Sequence, residues 1–216
     1  MSTRLWITAC DLKKMNSWFG SKDAVVQRKL VKELEDLVED EDSDDEDEEQ
    51  QEELLRDAVN RITASINDGV VRSEGKENAA DVCAAYALAR QARSKPQTWD
   101  DADEDEWSWM DLYELSEQFK KRFDSRTQTL LDYCITGRAF FRTEFADDCG
   151  WYAYLTNAEV KEFTELLSKA HKDAGDLVDS GALNEVDFES KLLVAIEYML
   201  ETMSRVNGDD LFIYAS

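Results

Sequence analysis

The chain has 216 residues and a formal net charge of −24, with 49 acidic side chains against 25 Lys and Arg. A hydrophobic fraction of 43% and an aromatic fraction of 10% predict a folded chain with a sizeable core and exclude an acidic disordered tail. The charge repels nucleic acid and anionic lipid, which are bound through Lys and Arg, so neither is an expected direct partner.

In chain order, LWITA (5–9) reads as a strand. After Gly20-Ser21, Val26, Leu30, Leu34 and Leu37 recur at helical spacing. From Glu39 to Glu49, ten of eleven side chains are carboxylates, and no apolar position occurs between Asp40 and Glu53. Mutual repulsion there predicts a solvated, extended connection between two helices over 39–50. The second of those helices carries Leu55, Val59, Ile62 and Ile66 and stops at Asn67-Asp68-Gly69. Asn78 is placed to cap a third helix, DVCAAYALARQAR, whose alanines allow close approach of a neighbour, and Lys95-Pro96 ends it. A second acid cluster, Asp100–Glu106, precedes WSWMDLYELSEQFKKRF, where Leu112, Leu115, Phe119 and Phe123 share a face. Carboxylates there also suit the positive end of that helix's dipole. A further helix runs through Leu130, Leu131 and Cys134 to Gly137.

The pattern then changes. AFFRTEF and WYAYL read as two strands joined by the turn at 146–150. Thr156 and Glu159 form a capping box that opens a helix with Val160, Phe163, Leu167 and Ala170 inside. The last helix places Phe188, Leu192, Ile196, Met199 and Met203 on one face. Leu193, Val194 and Leu200 add apolar surface elsewhere, which predicts a central position. Asn207-Gly208 ends it, and LFIYA is a final strand. These elements predict an α+β fold, a predominantly helical single domain over 1–216 with a small mixed or antiparallel sheet of short strands.

The segment GWYAYLTNAEVKEFTELL, the first strand followed by DLKKMNSWFGSKD, and the closing helix followed by DDLFIYAS together resemble the YfbM-like bacterial proteins, domains of unknown function. The likeness covers residues 1–30 and 80–216. The run at 39–49 departs from it as an acidic expansion of a helix–helix connection. The resemblance implies an α+β fold and a bacterial cytoplasmic setting, and it brings no catalytic residue.

Few arrangements support chemistry. A calcium loop begun at Asp42 would use Asp44, Glu46 and Glu53, but it has Asp47 where the turn needs glycine and Glu49 where it needs an apolar anchor. One histidine, His171, and four cysteines without a C-x-x-C pair (Cys10, Cys83, Cys134 and Cys149) give no zinc spacing. The cysteines are expected to be reduced and mostly buried. With no apolar leader core in MSTRLWITACDLKK, a cytoplasmic location is expected. Cys149 and His171 are a conceivable thiolate and base, but a solvated helix end is the simpler place for His171. No nucleophile elbow, dinucleotide loop or phosphate loop is present. No catalytic residue, metal ligand or cofactor is expected, and the chain leans away from enzyme activity.

The strongest interaction candidate is Trp107-Ser108-Trp109 beside its acids, with Asp103, Glu104, Asp105, Glu106, Trp107 and Trp109 as the partner-binding residues. Burial of the tryptophans at a helix start is the structural alternative. Three functions stand open: a non-enzymatic protein-binding module engaging a basic protein as an inhibitor or immunity-type partner, a nucleic-acid mimic occupying a DNA-binding protein, or a carboxylate-based enzyme. Acidity that only maintains solubility is a fourth possibility.

Overall fold

A computed structural model describes residues 4–39, 48–69, 76–93, 106–122, 124–141, 144–145, 150–179, 189–206 and 208–215. The fold is α+β and mostly helical. The first half holds β1 (Arg4–Cys10), α1 (Leu12–Trp18), α2 (Ala24–Glu39), α3 (Glu48–Asp68), β2 (Lys76–Glu77) and α4 (Ala79–Gln91). The second half holds β3 (Glu106–Ser108), α5 (Trp109–Arg122), α6 (Ser125–Thr136), β4 (Glu144–Phe145) and β5 (Trp151–Leu155). It closes with α7 (Asn157–Asp179), α8 (Glu189–Arg205) and β6 (Asp210–Ala215). The chain divides into two compact units, one of Cys10–Pro96 with Arg138–Tyr152, the other of Met1–Ala9, Gln97–Gly137 and Ala153–Ser216.

The unit built on Cys10–Pro96 is organised by α4, which packs against both α2 and α3. Six of its buried positions, including the residue just past its end, are alanines: Ala80, Ala84, Ala85, Ala87, Ala89 and Ala92. Side chains of one carbon let neighbouring backbones come close, and Leu30, Leu34, Ile62 and Ile66 fill the space between. The core stripe of α3 is Ala58, Ile62, Ser65 and Ile66, displaced from the expected stripe because Leu55 and Val59 are only half-buried. Glu33 of α2 meets Arg90 at 2.8 Å and accepts from Gln91 at 2.5 Å, tying α2 to α4.

The end of α3 is closed by the α1–α2 connection. The Ser65 carbonyl accepts from Gly20 and Gly69 backbone N–H groups at 2.9 and 3.1 Å, and the Ile66 carbonyl accepts from Lys22. Gly20 and Gly69 have φ of +71° and +84°, a region that favours glycine. The predicted stop at Asn67-Asp68-Gly69 is therefore observed, with a second glycine supplying the partner donor. At the other end, α3 begins at Glu48, so residues 48–50 are helical where an extended connection was expected. Carboxylates in the first turn of a helix meet the positive end of its dipole, which offsets their mutual repulsion. The rest of the predicted connection, 40–47, lies outside the described residues.

In the other unit, a four-stranded sheet has the order β3-β1-β6-β5. The β1–β3 pair is antiparallel, with Leu5 opposite Trp107 and Trp6 opposite Glu106. α7 packs against α8 and β6, and α5 against α6 and α8. The predicted stripe Val160, Phe163, Leu167 and Ala170 is buried throughout, as are Ile196, Met199 and Met203 of α8. Leu112, Leu115 and Phe119 are buried on α5, while Phe123 and Phe188 lie outside the described residues. α8 is not surrounded: Val194 is 59% exposed and Tyr198 37%, contrary to the central position expected of it.

The capping box at α7 is present. Thr156 Oγ1 accepts from the Glu159 N–H at 3.3 Å, and Glu159 Oε2 accepts from the Thr156 N–H at 2.9 Å. Asp210 Oδ1 takes the Asn157 N–H at 2.6 Å, adding a carboxylate to the same helix start.

Of the two strands expected in AFFRTEF and WYAYL, WYAYL is β5, while most of the turn between them, 146–149, lies outside the described residues. Among the described residues of AFFRTEF, Glu144–Phe145 forms the strand, and it pairs in parallel with β2 in a separate two-stranded sheet and not with β5. The backbone N–H groups of Phe140 and Phe141 are taken by side chains instead of a ladder. Two short strands, β2 and β3, were not expected, since two or three residues cannot show alternation.

Truncating Ile62→Ala is expected to cost about 2–5 kcal/mol of unfolding free energy, and Thr156→Ala about 1 kcal/mol, both read by chemical denaturation.

Candidate functional site

Of the residues singled out in the sequence, Asp103, Glu104 and Asp105 lie outside the described residues. Glu106 and Trp107 belong to β3, and Trp109 is the first residue of α5. Glu106 is thus separated from the α5 start by the other two residues of β3. Cys149 lies outside the described residues, and His171 sits within α7, which continues to Asp179 past the expected helix end. There, His171 Nε2 faces Glu197 Oε1 of α8 at 3.0 Å, an ion-pair geometry on the surface.

The polar groups that do converge lie in the unit built on Cys10–Pro96. Glu77, at the end of β2, has no solvent exposure. Its Oε1 accepts from the Phe141 N–H at 2.7 Å and from the Tyr152 hydroxyl at 2.9 Å. The Tyr152 oxygen in turn accepts from the Phe140 N–H at 2.5 Å, and the Tyr152 and Phe140 rings stack at 5.3 Å. A buried carboxyl group demands such donors, since desolvation without them costs several kcal/mol. Burial, then the adjoining Glu77 charge and its hydrogen bond, holds the Tyr152 phenol well above its ordinary pKa.

One residue further on, Asn78 opens α4 with a capping box. Its side-chain oxygen accepts from the Asp81 N–H at 3.1 Å, and Asp81 Oδ2 accepts from the Asn78 N–H at 3.2 Å. The other Asp81 oxygen pairs with Nε of Arg61 from α3. Asp81 is 1% exposed, so this pairing fixes the guanidinium against a compensating buried charge. The Phe141 ring lies 5.7 Å from the Arg61 carbon Cζ, within cation–π range.

Beside this pair is a cleft of about 320 Å³ between α3 and the start of α4. Asp57, Asn60, Arg61, Asn78 and Asp81 supply its polar lining, with Ala64 and Ala80 between them. The volume lies at the small end of ligand sites, which run from roughly 300 to 1,000 Å³. Fixed donors and acceptors with no nucleophile or imidazole suit binding and orientation, not covalent chemistry.

The cysteine chemistry is quiet. Cys10, Cys83 and Cys134 form no disulfide, and burial pushes the Cys134 thiol far above its usual range. Among the described residues, no group of three His, Cys, Asp or Glu converges as a metal site, and no helix is long and apolar enough to cross a membrane.

Comparison with protein-family models, with curated proteins and with solved structures found no match to this chain.

Sequence reasoning reached Asn78 as a cap and missed Glu77, Asp81, Arg61 and Tyr152. The spacing Asn78-Ala79-Ala80-Asp81 carries a capping-box signal, with Asp in place of Glu or Gln. Nothing local marks Glu77, whose hydrogen-bond donors Phe141 and Tyr152 are 64 and 75 residues away.

Tyr152→Phe removes one donor to Glu77 and one acceptor for Phe140, and is expected to cost about 1–3 kcal/mol at neutral pH. The phenol's folded pKa lies above its unfolded value of about 10, so the folded state retains a proton that the unfolded state gives up. Stability from this source is full below pH ~10 and is lost as pH rises from there through the folded pKa. The gap between wild type and variant should therefore narrow in denaturation curves recorded above pH ~10, and a pH-independent gap would contradict the assignment.

Proposed function

We propose that the protein is a non-enzymatic binding module whose acidic surface engages a basic protein, in the manner of an inhibitor or immunity-type partner. The observation supporting this reading is on α3, whose first half continues the acid run as a helix with Glu52, Glu53 and Asp57 exposed. Arg56 is the one basic side chain in that stretch. A field of one sign raises the encounter rate with a basic partner and penalises acidic competitors. In the same proposal, Trp107 and Trp109 act as aromatic anchors flanked by Asp103, Glu104, Asp105 and Glu106. A cytoplasmic setting and kinship with the YfbM-like proteins also belong to it, and both rest on the sequence alone.

A second reading, mimicry of nucleic acid, gains support from the same helix. Carboxylates carried on a rigid helix are a better imitation of phosphates than an extended, solvated run.

The test is affinity capture from host lysate with the full chain and a Glu52→Gln, Glu53→Gln variant, washed at low and high salt. Retention of one basic protein by the wild type, lost at high salt and weakened by about tenfold in the variant, is the expected result. Release of that protein by added DNA identifies the mimic. Equal capture by both chains at high salt, or none by either, rejects an acid-steered interface.

A further inference from the structure

We propose that the cleft between α3 and the start of α4 is a binding site for a small zwitterion of the α-amino acid class. The cleft shares Asp57 with the acidic face discussed above but takes a small molecule, so its test does not depend on protein capture. The case begins with how Arg61 is used. Its Nε alone is engaged, by the buried Asp81 carboxylate, and among the described residues neither Nη nitrogen has a hydrogen-bond partner. The Asp81 pairing and the Phe141 ring hold the group in place, so its two remaining donor arms are preorganised for an acceptor. A two-oxygen acceptor such as a carboxylate matches the planar fork of a guanidinium.

Charge decides what else the ligand carries. Asp57 lines the same cleft one helical turn before Arg61, at the i, i+4 spacing that ordinarily brings an acid and a base together. Here the two do not pair. Arg61 is committed to Asp81, and among the described residues half-exposed Asp57 has only Arg56 Nε, at 3.9 Å. Among the described lining residues, Asp57 and Asp81 against Arg61 give an excess of one negative charge, within a chain of net charge −24. A simple anion would meet net repulsion, and a simple cation would leave the Nη donors without an acceptor. A neutral ligand with a carboxylate and an ammonium group answers both, its carboxylate on Arg61 and its ammonium on Asp57. Asn60 and Asn78 add amide groups at the same wall, and the volume of about 320 Å³ limits the occupant to a small molecule.

The test is a two-dimensional NMR titration of the full chain with each proteinogenic amino acid up to about 10 mM, with propionate and ethylammonium as single-charge controls. Saturable shifts of the Arg61 Nε–H and the Asn60 side-chain amide are expected with at least one amino acid and with neither control. Asp57→Asn leaves the fold intact because its side chain is exposed, and it should weaken that binding by about tenfold or more while the circular dichroism spectrum is unchanged. The proposal is overturned if no amino acid gives saturable shifts at the cleft, if propionate binds as tightly, or if Asp57→Asn binds like the wild type.

Discussion

A carboxyl group with no access to water constrains everything around it, and Glu77 is such a group. Its oxygen needs donors, and two come from far along the chain: the Phe141 N–H and the Tyr152 hydroxyl. Phe141 and Tyr152 are therefore tied to the end of β2 by hydrogen bonds to a side chain, beside the pairing of β2 with β4. The Phe141 N–H goes to Glu77 and the Phe140 N–H to Tyr152, so neither donates to a strand ladder. Removing either partner would strand a polar group in the core, the costliest way to lose a hydrogen bond.

The cleft follows from the same stretch of chain. Glu77 ends β2, Asn78 caps α4, and Asp81 completes the cap while pairing with Arg61. One carboxylate thus satisfies a helix end and orients a guanidinium from another helix. The alanines of α4 bring α3 close enough for that reach, and Phe141, fixed by Glu77, supplies the ring against which Arg61 rests. Packing, capping and site geometry here depend on one another, so the binding surface is built on rigid elements.

Much of the helical architecture was legible in the sequence because its signals are local. Periodicity placed the faces of α2, α5 and α7, Thr156 and Glu159 marked a helix start, and Gly69 and Gly137 marked helix ends. The misses share a physical cause. β2 and β3 are too short for alternation, and their pairing is set by partners distant in sequence. The aromatic run at 139–145 has strong strand propensity, yet backbone groups there answer to Glu77, a tertiary demand that propensity does not encode. Val194 added to the apolar surface that suggested a central α8, but it occupies a solvent-facing flank of that helix. The runs at 39–49 and 100–106 dominate the charge pattern, whereas the buried acids Glu77 and Asp81 stand singly in the sequence.

The central claim is that Glu77 organises its unit by binding the backbone of the 139–141 segment. Amide hydrogen exchange at Phe140 and Phe141 tests it most directly. If both N–H groups are held as described, they exchange about as slowly as the amides of Ala84 to Leu88 in the middle of α4. Exchange as fast as in an exposed loop would contradict the account, because two buried backbone donors bound by Glu77 and Tyr152 cannot open to water without dismantling that core.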